Sequence, residues 1–151
     1  MFRLKSIESV IEHLTDFQTL SYTTIEDVAL SGVALETLMD GTFLRCDFSG
    51  VAMPDNLENA LFVDCHLGGL HFNKTNFFNS RFIHCDFSQS HFLECDLSAA
   101  QFEECCMTAT EFYNCDLETA EVIEAPAPSL PSMTLRHHGD HRGSTLALKH
   151  Q

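Results

Sequence analysis

From Leu57 onward a large apolar residue recurs every five positions without a miss: Leu57, Phe62, Leu67, Phe72, Phe77, Phe82, Phe87, Phe92, Leu97, Phe102, Met107, Phe112, Leu117 and Val122. Two places before each centre the residue is mostly small, as at Cys65, Ser80, Cys85, Ser90, Cys95 and Thr110. The other three places are mostly polar, as at Asp86, Ser88 and Gln89. Two positions separated by one residue point to the same side of an extended chain. An inward pattern that resets every five residues forces the chain to turn between repeats. A helix of period 3.6 would scatter these residues around its circumference. A unit that turns each time closes into a coil, so the spacing predicts an all-β solenoid.

Upstream the period continues with slips. Phe43, Phe48 and Met53 keep the step of five, and Met53 to Leu57 is short by one, beside Pro54. Leu20, Ile25, Leu30 and Leu35 also step by five, before an eight-residue jump to Phe43 through "ETLMDGT". Bulged or looped corners are expected at both slips. The count is about 21 repeats, or about five coils, roughly 25 Å long at ~4.8 Å per stacked strand. Ile7, Val10, Ile11 and Leu14 have helical spacing behind a Ser6 N-cap. A short helix within 1–17 is therefore expected to cap the open apolar end of a coil spanning 18–125. Residues 126–151 lack the period and are rich in Pro and His, which predicts a flexible tail.

The units "CDFSQ", "CDLSA" and "CDLET" resemble those of the pentapeptide-repeat proteins, in which a small residue and an Asp or Asn precede a central Leu or Phe. The resemblance implies a right-handed quadrilateral parallel β-helix with four repeats to a coil, so positions twenty apart stack. Cys46, Cys65, Cys85, Cys95, Cys105 and Cys115 then take the small inward place and Cys106 alone falls outside it. A buried free Cys acts as a small hydrophobe. Metal binding needs ligands converging on one point, and the two Cys columns stand on opposite sides of the Phe stacks. His84 beside Cys85 is no dyad, because adjacent strand residues face opposite ways. The "HHGDH" of the tail (His137, His138, Asp140, His141) reads as solvated sequence. No phosphate loop, nucleophile elbow or zinc-protease signature is present. The sequence therefore predicts no catalytic residue, no metal site and no cofactor.

The exterior is left to carry function. The chain has a formal charge of −14, with −10 in residues 57–125 alone. Residues 82–124 hold ten acids and no Lys or Arg. Such a surface repels nucleic acid and anionic lipid and attracts basic surfaces. Seven Cys point to a reducing, cytoplasmic setting, and no run of about 18 apolar residues exists to span a membrane. Apolar residues just after the centres form outward columns: Val63, Ile83 and Ile123 on one side, Leu93 and Tyr113 two sides away, Phe78 on another. Leu93 and Tyr113, beside Glu94 and Glu111 and in line with His71 and His91, make the most interface-like patch, suited to a protein partner or a second copy of the chain. With Asp86, Asp96, Glu103, Glu104, Asp116 and Glu118 they form the expected partner-binding set. The reading is a non-enzymatic protein-binding or scaffold module. The alternative, implied by resemblance to gyrase-protecting quinolone-resistance members, is an acidic DNA mimic that binds a topoisomerase. In those members a C-terminal helix makes the dimer, whereas here Pro126, Pro128 and Pro131 follow the last repeat. The resemblance also admits secreted effectors.

Overall fold

The computed structural model describes residues 2–124, 133–136 and 147–150. The elements in order are β1 (Phe2–Leu4), α1 (Ile7–Phe17), β2 (Thr23–Glu26), β3 (Thr42–Leu44), β4 (Leu61–Val63) and β5 (His71–Asn73). There follow β6 (Arg81–Ile83), β7 (His91–Leu93), β8 (Gln101–Glu103), β9 (Thr110–Tyr113), β10 (Glu121–Glu124), β11 (Met133–Arg136) and β12 (Ala147–His150). All pairings between these strands are parallel, in two sheets ordered β1-β2-β3-β4-β6-β8-β10-β12 and β11-β9-β7-β5. Two columns of single bridge pairs lie between them: Ala29–Asp47–His66–Asp86–Cys106, and Asn56–Asn76–Asp96–Asp116. Along the chain these make a first face (β2 to β10), a second (His66–Asp86), a third (β5, β7, β9) and a fourth (Asn76–Asp96). The protein is a four-sided parallel β-solenoid with one N-terminal helix.

The core is built from the five-residue period. Phe62, Phe82 and Phe102 stack on the first face with ring centroids 5.0 Å apart at each step. Phe72, Phe92 and Phe112 stack on the third at 4.7 Å. Phe87 on the second face meets Phe82 edge-on at 4.9 Å. These rings are fully buried. The corners explain how a strand of three residues can be followed at once by another. From Asn59 to Thr119 every fifth residue is left-handed, and only Gly69 of these is a glycine. After the second and fourth faces the corner is closed by a bond from residue n+3 to n, as in Ser90 N to Phe87 O at 3.0 Å and Ala100 N to Leu97 O at 3.0 Å. With the third residue left-handed, this is the pattern of a type II turn.

The slips fall where the sequence placed them, but one centre differs. Leu38 is fully buried and stacks beside Leu57, while Leu35 only packs partly against the core. The chain cuts this corner short and resumes the period from Leu38 through Phe43 and Phe48. Gly41 allows the return, since a Cβ there would lie 2.8 Å from the Phe43 ring. Cys105, expected fully inward, is half-buried.

Helix α1 forms where expected. Ser6 and Ser9 make a reciprocal capping box, with Ser9 N donating to Ser6 Oγ at 3.1 Å and Ser6 N to Ser9 Oγ at 3.2 Å. Val10 closes the core, yet Ile11, expected on the same face, is exposed. His13 takes the inward place between Phe2 and Phe17. Ahead of the helix, β1 adds a rung that the sequence did not suggest. It is held by Glu26, whose nearly buried carboxylate accepts from Arg3 Nη2 at 2.6 Å and pairs with Lys5 at 2.9 Å. Arg3 and then Lys5 hold the Glu26 carboxyl down to about 2.

Beyond residue 125, where a tail without structure was expected, β11 and β12 stack on β9 and β10. The edges of those last rungs present unpaired backbone groups that parallel strands satisfy. Leu135 stands in register with Phe112 and Leu148 with Val122. The "HHGDH" segment lies outside the described residues.

Two measurements check this description. Phe82→Ala should destabilise the fold by about 3–5 kcal/mol in urea melts, against under about 1 kcal/mol for the outward Leu93→Ala. Glu26 is a carboxylate whose folded pKa is depressed from an ordinary 4.5, so its contribution is full above pH 4.5 and is lost as pH falls through about 2. Protection of the β1 amides from hydrogen exchange should therefore persist at pH 4 and collapse below pH 2, and Glu26→Gln should remove it at neutral pH.

Candidate functional site

The inward thiols are donors as well as filler. Cys65 Sγ donates to Phe43 O at 3.3 Å, Cys105 to Phe82 O at 3.3 Å, Cys95 to Phe72 O at 3.4 Å and Cys115 to Phe92 O at 3.3 Å. Ser90 and Thr110 use their hydroxyls in the same way, toward Leu67 O and Phe87 O, each at 2.8 Å. The small inward place thus carries a group that satisfies a carbonyl of the coil below. Cys65 stands between Cys46, whose thiol favours its ionised form, and Cys85, which with burial pushes it up to about 12. The Cys85 thiol is pushed up by Cys105, then by burial. These are unreactive thiols. Among the described residues no group of three or more His, Cys, Asp or Glu is placed to hold a metal ion. Native protein at pH 8 should therefore show one fast-reacting thiol, Cys106, in a disulfide-exchange titration and all seven after denaturation. Three or more fast thiols would contradict the inward placement.

The acids divide into two kinds. Asp86 is half-buried, and its Oδ1 accepts from Ser88 N at 2.8 Å and Ser88 Oγ at 2.5 Å. Partial burial opposes its charge, yet Ser88 and His66 hold its carboxyl below the usual range. Asp96 caps Ser98 N at 2.9 Å and also accepts from its hydroxyl. Asp116 caps Glu118 N at 3.0 Å. These three carboxylates shape the corners in addition to facing solvent. Others pair with a base about one coil below: Glu94 with Lys74 at 3.7 Å, Glu103 with Arg81 at 3.8 Å, Glu104 with His84 at 2.8 Å and Glu111 with His91 at 3.4 Å. Asp86 pairs with His66 at 3.2 Å. A spacing near twenty in the sequence carries that signal, and the expected site did not use it. Each such exposed pair contributes little to stability, and Lys74 and Arg81 each set a full charge against an acid. Among the described residues Asp96, Asp116 and Glu118 have no cation within ion-pair distance, and all three stand on the fourth face.

The expected set is therefore spread over all four faces. Asp86 is on the second, Glu103 and the corner residue Glu104 are on the first, and Asp96, Asp116 and Glu118 are on the fourth. Glu94, Leu93, Glu111 and Tyr113 come together on the third. Here β5, β7 and β9 form a groove of about 400 Å³ that runs along the coil axis. One ridge is His71, His91 and Glu111, with the two imidazoles stacked at 4.7 Å and 7°. The other is Asn73, Leu93 and Tyr113, of which Leu93 and Tyr113 are 38% and 39% exposed. The floor is backbone, because Phe72, Phe92 and Phe112 turn their rings inward. His91 Nδ1 is buried without a hydrogen-bond partner. Phe78 stands apart on the fourth face, exposed.

Residues 55–125 match the family model described as "Pentapeptide repeat region". That is the stretch over which the five-residue period runs without a slip after Leu57. No curated protein matches the chain in sequence. Among solved structures it is similar to the pentapeptide repeat protein Rfr23 from the cyanobacterium Cyanothece 51142, at 17% identity and TM-score 0.33. That match covers 74% of this chain and 59% of the other, so the chain spans less than two thirds of that relative. It is also similar to QnrB1, a plasmid-mediated fluoroquinolone resistance protein, at 15% identity over 99% of this chain and 92% of that one, with TM-score 0.33. HetL, a pentapeptide repeat protein involved in heterocyst differentiation regulation from Nostoc sp. strain PCC 7120, matches at 12% identity over 80% and 66%, with TM-score 0.30.

Proposed function

We propose that this chain, a pentapeptide repeat protein over residues 55–125, is a non-enzymatic module that docks a protein partner on the outside of its coil. The observation that carries the reading is the third-face groove, where Leu93 and Tyr113 stand exposed opposite Glu111. Exposed apolar side chains grouped in one concave strip mark contact surfaces. The partner is macromolecular, neither nucleic acid nor lipid, given a formal charge of −14. No cofactor enters the reading. The free inward thiols suit a reducing, cytoplasmic setting. Among the described residues no helix is long and apolar enough to cross a membrane. In affinity capture with cross-linking from the source cells, Leu93→Asp and Tyr113→Asp should each lose a specific partner that Glu118→Gln, on the fourth face, retains. Retention of every partner by both third-face variants would sink the reading.

A second reading, an acidic DNA mimic that binds a topoisomerase such as gyrase and protects it from inhibitors, draws on a different observation. The acids Asp96, Asp116 and Glu118, with no cation within ion-pair distance among the described residues, line one face of a rod with ten acids and no Lys or Arg in residues 82–124. A duplex carries one charge per about 1.7 Å, a comparable density. The same capture experiment separates the two, since a mimic loses its partner with the fourth-face charges and keeps it with the third-face variants. Asp96→Asn and Asp116→Asn are the informative changes there, because Asn retains the oxygen that caps the corner.

A further inference from the structure

We infer that the outer edge of β1 takes an extended segment of a protein partner in which apolar and acidic residues alternate. This site is separate from the third-face groove and does not rest on it. β1 ends the eight-stranded sheet, with β2 as its one strand neighbour among the described residues. The amide and carbonyl groups on its far side are therefore open to another strand. Docking by strand addition uses such an edge, with main-chain bonds for affinity and alternate side chains for choice.

Lys and Arg commonly guard an exposed edge, but here both are turned back from it. Arg3 Nη2 donates to Glu26 Oε1 at 2.6 Å and Arg3 Nε to Oε2 at 3.0 Å, while Lys5 Nζ pairs with Oε2 at 2.9 Å. Glu26 belongs to β2, on the side of β1 away from the free edge. The edge is left clear while positive charge stays beside it. Arg3, Lys5 and Arg45 share Glu26 and Asp27, three cations to two carboxylates, in a chain otherwise rich in acid. On the other side of the strand Phe2 and Leu4 stand in register with the buried Thr23 and Ile25. The Phe2 ring meets His13 at 4.7 Å and Phe17 at 4.9 Å, and both Phe are half exposed. An added strand thus runs past apolar surface opposite Phe2 and Leu4 and past positive charge opposite Arg3 and Lys5. Alternating apolar and acidic residues answer both. A basic segment is repelled, and a wholly polar one leaves the rings in water.

The test titrates the isotope-labelled full chain with end-blocked Val-Glu-Val-Glu-Val and with its Val-Lys-Val-Lys-Val counterpart. Saturable amide shifts at millimolar peptide should centre on Phe2–Lys5 and His13–Phe17, with the amides of β5, β7 and β9 unmoved. The acidic peptide should bind about fivefold more tightly than the basic one, the upper share of an exposed ion pair. Copies N-methylated on the valines or on the glutamates each block one edge of the peptide. One of the two should bind about tenfold more weakly than the parent, as loss of its main-chain bonds requires. Lys5→Gln leaves Arg3 on Glu26 and should narrow the preference for the acidic peptide. No shift at millimolar peptide, shifts centred on the third face, equal binding of both charge forms, or full binding by both methylated copies would each overturn the inference. None of these outcomes touches the third-face reading, which is tested by capture with Leu93→Asp.

Discussion

Each corner of this coil depends on a residue held in the left-handed region by the coil that stacks on it. From residue 59 to 119 the corner recurs every five positions, and all but Gly69 are residues with a side chain. Such a conformation costs about 1 kcal/mol or more apiece. What offsets it is visible in the hydrogen bonding. Asp64 N donates to Ile83 O at 2.9 Å, Lys74 N to Leu93 O at 2.8 Å, His84 N to Glu103 O at 2.8 Å and Glu94 N to Tyr113 O at 2.8 Å. From Asn59 to Glu104 the acceptor belongs to the next coil at every such corner. A single coil has no such partner, and its Phe would be open to water on both ends. Stability in this chain is thus a property of neighbours, as nearest-neighbour solenoids require.

The same stacking sets the chemistry of every column. Inward, the twenty-residue repeat puts thiol above thiol and hydroxyl in line with carbonyl, so Cys65, Cys85 and Cys105 become donors in a dry core. Outward, it puts His66 beside Asp86, His84 beside Glu104 and His71 on His91. A residue chosen for the surface always meets its counterpart about one coil away. Charge and aromatic character are therefore written along faces, and a partner reads a face.

Much of this was legible in the residues because the period is the fold. The inward columns, the outward place of Cys106, the partnership of Leu93 with Tyr113 and the stack of His71 on His91 all follow from counting by five and twenty. What escaped has physical causes. Leu35 keeps the step of five and Leu38 follows it by three, so the shortened corner between them carries no periodic mark. Rung β1 is held by ion pairs from Arg3 and Lys5 to Glu26, a contact between charges with no periodic mark. β11 and β12 lie 23 and 26 residues after the rungs they join, so a search at twenty passes over them. Asp86, Asp96 and Asp116 looked like free surface acids because the same Asp that carries charge also caps a corner.

The coil is the unit of this chain: twenty residues in one register from Leu57 onward, stable through neighbours, displaying a face. Excising residues 81–100 as a block should join β4 directly under β8 in register. Removing Ser88 alone shortens a corner in mid-coil and takes away both of its bonds to Asp86, so the next centres must shift or the corner must strain. The direct measurement is thermal unfolding of the two deletions, followed by circular dichroism beside the intact chain. The twenty-residue deletion should keep a cooperative β-sheet transition at a modestly lower midpoint, and the single-residue one should lose far more. Equal loss of structure in both, or a smaller effect from removing one residue than from removing a whole coil, would contradict it.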